Sequence, residues 1–362
     1  MRRLTKFSAV AAVATLALAG CGSSDSSGSN GGSGGKPSAN KDVCKTAKGD
    51  GPKIGLAYDV GGRGDQSFND SAYAGLEKAV SDFSATCVEG EATDGEAESA
   101  REDRLRNFAE SGATAIVGVG FAYADSVNKV APDFPDVNFA IVDGFDPDKT
   151  PNANVAYLTF AANEGSFLAG VAAAEKSKSG TIGFVGGVNN ALIQGFEAGY
   201  VAGAKAAKPD IKVEVAYIEE SNLKGFNDSA GGKAAATGEF DKGADIVYHA
   251  AGNSGSGIFD AAVEAGDGKF AIGVDSDQYL TATNAQKPHI LTSALKRVDV
   301  ATLDFIKSVD AGKPVTSYVT YDLKNDGVGY STSGGFIDDI TSDLEGYKAK
   351  IVAGDIKVPT AP

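Results

Sequence analysis

Tryptophan is absent from this sequence, methionine occurs once, histidine twice and cysteine three times. So few imidazoles and thiols argue against a His/Cys metal centre. The two histidines, His249 and His289, fall in or beside predicted strands with no evident nucleophile partner, and no Gly-x-Ser-x-Gly elbow occurs. No enzyme, metal or cofactor is therefore expected. Glycine-rich stretches at Gly61–Gly64 and Gly252–Gly257 match neither a dinucleotide fingerprint nor a P-loop with its lysine, and read as turns. Positive charge is also scarce, with 33 Lys and Arg against 48 Asp and Glu and a net charge of −15. That balance argues against nucleic acid or an anionic membrane surface as a partner.

What is present begins with a cationic start (Arg2, Arg3, Lys6) and an apolar run from Phe7 to Ala19. This pattern is a secretory signal over residues 1–20, too short and alanine-rich for a good membrane span. Leu18-Ala19-Gly20-Cys21 looks like the lipobox of bacterial lipoproteins, which implies a lipid on Cys21 and an extracytoplasmic location at the cell membrane. Removing the signal removes three positive charges and takes the charge from −15 to −18. Residues 21–49 start with a Gly/Ser/Asn-rich stretch that cannot bury apolar surface and serves as a flexible linker. With Cys21 lipidated, Cys44 and Cys87 remain as an even pair in an oxidising compartment, and a disulfide between them is expected.

The roughly 310 residues that follow are too many for one ordinary core and suggest two lobes. Short β-branched runs alternate with amphipathic helix-length runs, the pattern of βαβ units and a mostly parallel sheet. Strands are predicted at 53–59, 115–119 and 138–142, then at 181–185, 212–218, 246–250 and 270–274. The expected fold is α/β: two Rossmann-like lobes with parallel sheets, joined by a hinge of several crossings. Residues 50–160 with about 290–317 would form the N-terminal lobe, and 161–289 with about 318–362 the C-terminal lobe. Ligands in such sheets bind at the carboxyl ends of the strands, where loops and helix N-termini converge.

An internal repeat marks those ends. Phe68-Asn69-Asp70-Ser71-Ala72 recurs identically as Phe226-Asn227-Asp228-Ser229-Ala230, each copy following a strand that contains Ala-Tyr (Ala57-Tyr58, Ala216-Tyr217). One Phe and one Asn are thus expected on each lip of a cleft, making an aromatic clamp for a flat ligand. Base stacking on an aromatic contributes about 1–3 kcal/mol. Asp143, Gly252, Asp277 and Lys296 follow other predicted strands, and a carboxylate with a nearby Lys suits a sugar diol.

Taken as an ordered set, Gly55-Leu-Ala-Tyr-Asp59, Ser67-Phe-Asn-Asp70, Val142-Asp143-Gly144, Glu164-Gly-Ser-Phe-Leu-Ala-Gly170, Ala250-Ala-Gly252, Gly273-Val-Asp-Ser-Asp-Gln278 and Thr292-Ser-Ala-Leu-Lys296 resemble the basic membrane protein family. These are lipoproteins of the type I periplasmic-binding fold that feed nucleosides to ABC transporters. The resemblance implies that Phe68 and Phe226 sandwich a purine base while Asn69 and Asp143 read its edge. Gly252, Asp277 and Lys296 would hold the sugar, and Asp59 would line the cleft. The implied partners are a purine nucleoside and a transporter permease, and the chain itself is expected to be a monomer. Two other readings of the same fold are a receptor for a sugar or signal molecule and a nucleoside sensor coupled to a membrane kinase.

Overall fold

The computed structural model describes residues 42–145 and 151–362. The expected signal, the lipid site at Cys21 and most of the linker lie outside the described residues. The described chain starts with a short helix, α1 (Val43–Thr46), that leads into β1 (Lys53–Tyr58). Next come α2 (Phe68–Phe83), β2 (Thr86–Glu91), α3 (Glu98–Glu110), β3 (Ala115–Val119), α4 (Ala124–Val130), β4 (Asn138–Val142) and β5 (Val155–Phe160). A second series runs α5 (Ala162–Lys176), β6 (Thr181–Val188), α6 (Ala191–Ala207), β7 (Lys212–Glu219), α7 (Ser229–Asp241), β8 (Ile246–Ala250), α8 (Gly255–Ala265) and β9 (Phe270–Asp275). The chain ends with α9 (Gln278–Thr281), β10 (Ile290–Lys296), α10 (Val298–Asp310), β11 (Ser317–Tyr321), β12 (Val328–Tyr330) and α11 (Thr341–Val352).

Two six-stranded sheets result, in the orders β11-β5-β4-β3-β1-β2 and β12-β10-β9-β8-β6-β7. Every pairing is parallel except β10 with β12. Helices cover both faces, which is why the central strands are continuous apolar runs rather than alternating ones. All five residues of β3, for example, are buried. One apolar cluster sits on each face of each sheet. Fully burying a Val, Leu, Ile or Phe side chain contributes about 1.5–3 kcal/mol, so these four layers carry the stability. In the second lobe α5 and α6 approach closely because small residues face each other: a Cβ on Gly170 would lie 2.1 Å from the Tyr200 carbonyl oxygen. Cys44 and Cys87 form a disulfide that ties α1 to β2. No helix among the described residues is long and apolar enough to cross a membrane.

The lobes exchange segments differently from the sequence reading. Strand β10 pairs parallel with β9 in the second sheet, with one register shift between Ile290 and Thr292, so residues 290–296 belong there and not to the first lobe. The chain crosses back only at Arg297, and α10 then packs on α2. Strand β11 pairs with β5 in the first sheet, so the last crossing falls after Tyr321 and not at 318. An apolar strand pattern specifies a buried strand without specifying which of two sheets will pair it. The crossings at 160–162, 296–298 and 321–328 lie together at the β5/β10 side of both sheets.

Candidate ligand-binding cleft

The carboxyl ends of the two sheets face each other across a cleft with about 540 Å³ of empty space, part of it open to solvent. From the first lobe it is lined by Asp59 and Val60 after β1, Asp65, Phe68 and Asn69 at the start of α2, Gly120 and Phe121 after β3, and Asp143 after β4. The second lobe contributes Leu192, Ile193 and Phe196 of α6, Phe226 after β7, and Ala250 to Gly252 after β8. Val274 and Asp275 of β9 and Lys296 of β10 complete it.

The polar centre of the cleft is a buried ion pair between the lobes. Lys296 Nζ donates to Asp143 Oδ2 at 2.5 Å, with both side chains only 4% exposed. The ammonium is also 4.7 Å from the Phe68 ring centroid, 5.1 Å from Phe160 and 5.6 Å from Phe196. Asp143 Oδ1 is buried and has no hydrogen-bond partner among the described residues. A buried carboxylate oxygen without a donor costs free energy, so this atom is prepared for a hydrogen-bond donor. Asp143 and Asp275 close the equivalent strands β4 and β9, both with left-handed backbone, at φ 57° and 62°. Asp tolerates that conformation better than most residues, and strained strand ends are concentrated at functional sites.

Burial raises the carboxyl pKa of Asp275, an effect opposed by Lys296 and by the Ser67 hydroxyl. Burial likewise pushes Asp59 up to about 6, against the Val60 N–H and the Arg101 charge. Asp65 is pushed up to about 7 by burial, although it accepts from the N–H groups of Ser67, Asn69 and Asp70. Asp65 therefore orders the first turn of α2 and with it Phe68. His249, a fully buried residue of β8, is lowered to about 4 by burial, and its Nε2 lies 3.1 Å from Gln278 Oε1.

Seven of the nine sequence-predicted site residues line the cleft: Asp59, Phe68, Asn69, Asp143, Phe226, Gly252 and Lys296. Asn69 arrives with most of its side chain engaged, its Oδ1 accepting from Asp59 N–H at 3.0 Å and its Nδ2 donating to Asp65 at 3.0 Å. One N–H is left for a ligand. Gly252 has φ 53°, and a Cβ there would lie 3.3 Å from the Phe226 carbonyl.

Two expected residues point elsewhere. Asn227 sits on the rim, where its Oδ1 accepts from Asn253 at 2.8 Å and its Nδ2 donates to Asp94 of the first lobe at 3.4 Å. Asp277 faces away and accepts from the Ser333 hydroxyl at 2.5 Å, while Asp275, two residues earlier, takes the place in the cleft. The reason is the length of β9, which runs one residue further than predicted and ends on Asp275 itself.

The two copies of the repeat also fold differently. In the first, α2 begins on Phe68. In the second, Leu223–Phe226 forms a 3-10 turn and α7 begins only at Ser229, N-capped by Asp228 through Gly231 N–H at 2.8 Å. Both Phe reach the cleft and only the first Asn does. Asp65, Asp275, Phe121, Phe196, Leu192 and Ile193 were not anticipated. Asp65 and Asp275 lie within or beside the recognised motifs, whereas the α6 residues carry no polar signature.

Two parallel-sheet lobes, repeated crossings and a cleft lined by both lobes at the facing strand ends define a two-lobed solute-binding protein. The chain belongs to the family of PnrA-like ABC transporter substrate-binding proteins, whose model matches residues 53–361. It is 36% identical over 327 residues to the ABC transporter nucleoside-binding protein BmpA of Lactococcus lactis subsp. cremoris, covering 85% of this chain and 89% of the relative. Basic membrane protein A1 of Borrelia garinii subsp. bavariensis is 34% identical over 315 residues, covering 85% of this chain and 88% of that protein. Among solved structures, an ABC transporter solute-binding protein from Aeropyrum pernix K1 superposes with a TM-score of 0.74 at 28% identity, over 85% of this chain and 94% of that one. The family suggested by the sequence motifs is thus the one that matches, and it is a family of solute-binding proteins.

Proposed function

We propose that this chain captures a purine nucleoside between its lobes and delivers it to the membrane permease of an ABC importer. It would work on the extracytoplasmic face, tethered by a lipid on Cys21, as a monomer. The observation that carries the ligand reading is the partnerless Asp143 Oδ1, buried beside Lys296 in a cleft that presents Phe68 from one lobe and Phe226 from the other. The rings stack on the base, Asp143 and the remaining Asn69 N–H read its edge, and Asp275 with Lys296 holds the sugar hydroxyls. The name of the Lactococcus relative supports a nucleoside.

Four carboxylates line the cleft (Asp59, Asp65, Asp143, Asp275) against one lysine already paired. Such a site repels a phosphate and favours a neutral ligand rich in donors. Closure of the lobes over the ligand stabilises the closed state and displays occupancy to the permease.

A thermal-shift panel of purine and pyrimidine nucleosides, free bases, 5′-monophosphates and sugars tests the ligand. Purine nucleosides raise Tm because they bind the folded state alone. A shift by a sugar with none by any nucleoside would refute the assignment. Fatty-acid labelling that survives Cys21→Ala would refute the anchor.

A further inference from the structure

Ser67 immediately precedes Phe68, is fully buried and occupies the N-cap position of α2, yet its side chain caps nothing in that helix. Serine is among the best N-caps, and here Asp65 performs that task by accepting from Asn69 and Asp70 N–H. The hydroxyl is thereby freed, and it crosses to the other lobe. Ser67 Oγ donates to Asp275 Oδ2, with Oγ and Oδ2 2.7 Å apart, and more weakly to the Val274 carbonyl at 3.2 Å. A bond returns in the opposite sense, from the Ser276 hydroxyl to the Ser67 carbonyl at 3.0 Å. The first turn of α2 and the end of β9 are thus joined reciprocally between lobes.

Asp275 is the cleft carboxylate at the end of that strand. With Oδ2 given to Ser67, Oδ1 accepts from no described residue and is the oxygen left for a ligand. The second copy of the repeat cannot make such a bond. Gly225 stands where Ser67 stands in the first, and a Cβ at Gly225 would lie 2.0 Å from the Gly187 carbonyl oxygen. Of the two copies of the repeat, only the first therefore carries a linking hydroxyl at this position.

We propose that Ser67 is the residue that couples lobe closure to ligand recognition, its hydroxyl reaching across the closed cleft to hold Asp275 so that the second carboxylate oxygen faces the ligand. Ser67 itself touches no ligand and acts as a positioning residue. When the lobes part, Asp275 loses this donor and turns to water. When they close, the donor and the ligand fix the two oxygens of one carboxylate, so that each reinforces the other. A bond that exists only in the closed form retards ligand escape and leaves encounter unchanged.

The nucleoside reading enters only through the probe, guanosine. Calorimetry and stopped-flow release are measured on wild type, Ser67→Ala and Ser67→Thr, together with Tm of each ligand-free chain. A hydrogen bond to a charged group is expected to be worth about tenfold in Kd. Ser67→Ala should weaken guanosine by that factor through faster release, and Ser67→Thr, which keeps the hydroxyl, should remain within about twofold of wild type. Equal losses in both variants, or a Kd for Ser67→Ala within about twofold of wild type, would overturn the proposal.

If wild type does not bind guanosine, it is the nucleoside reading that fails. Small-angle scattering of the ligand-free chains then tests the coupling alone, because a bond made only on closure shifts the open-closed equilibrium with or without ligand. A larger radius of gyration for Ser67→Ala than for Ser67→Thr supports the coupling, and equal radii overturn it.

Discussion

Replacing Lys296 with methionine keeps an unbranched stem and removes the ammonium with its hydrogen bond, so its effect measures what the interlobe ion pair does. The ammonium is 2.5 Å from Asp143 Oδ2, and the Asp143 side chain is almost entirely buried with its other oxygen already partnerless. In Lys296→Met that carboxylate would be left in the cleft with neither oxygen bonded and without its counter-ion. Deleting one partner of a buried pair costs about 3–5 kcal/mol. Loss of the cation-π contact with Phe68, whose centroid is 4.7 Å from Nζ, adds about 0.5–2 kcal/mol. Against a typical total of about 5–15 kcal/mol, the variant is marginal. Urea denaturation of the ligand-free chain reads this directly as a fall in midpoint. The double variant Lys296→Met/Asp143→Leu should regain most of the loss, since replacing both charges with apolar groups is often neutral or better. Both variants should fail to bind nucleoside. A loss under about 1 kcal/mol in the single variant, or a double variant no more stable than the single one, would refute the reasoning from desolvation.

Phe226→Ala should weaken nucleoside binding about 10- to 100-fold while Phe226→Tyr retains most of it, as calorimetry would show, because stacking contributes about 1–3 kcal/mol. Gly252→Ala forces a side chain into φ 53° against the Phe226 carbonyl; binding should fall more than thermal stability does, and an unchanged Kd would contradict the placement of Phe226. Reducing the Cys44–Cys87 disulfide should cost about 2–4 kcal/mol, seen as a lower Tm in reductant and no reductant effect in Cys44→Ser/Cys87→Ser. The pH dependence of Asp65 follows from its folded pKa of about 7 against about 3.9 unfolded. Folding binds a proton there, so the stability linked to Asp65 is fully present below the unfolded value and is lost as pH rises through about 7. Wild type should therefore lose stability relative to Asp65→Asn between pH 4 and 8 in denaturant titrations, and a parallel pair of curves would count against it.

Much of this molecule was legible because its signals are local. A parallel strand with both faces covered must be an apolar run, and the predicted strands 115–119, 138–142 and 246–250 coincide with β3, β4 and β8. What the sequence did not settle was pairing between distant segments. Strand β10 reads the same whether β9 or β5 receives it, and the register with β9 is decided by packing over the whole second lobe. The same limit applied within the cleft. In Asp275-Ser276-Asp277 either carboxylate fits a strand-end motif, and one residue of extra strand length determines which one faces the cleft and which one faces Ser333.

The repeat is the most instructive case, because identical pentapeptides were expected to build identical jaws. Their helices start at different points: Asp65 supplies the acceptors that let α2 begin on Phe68, and no acid stands at the matching place before Phe226, where Leu223-Lys224-Gly225 makes a 3-10 turn instead. A difference three residues upstream thus sends Asn69 into the cleft and Asn227 to the rim. The consequence is a division of labour between the lobes. Each copy brings one Phe to the cleft, whereas most of the polar groups there come from outside the repeat, at Asp65, Asp143, Asp275 and Lys296, with Ser67 bonded to Asp275. Changes of ligand preference within this fold should accordingly follow substitutions at those five positions more closely than substitutions in the pentapeptides themselves.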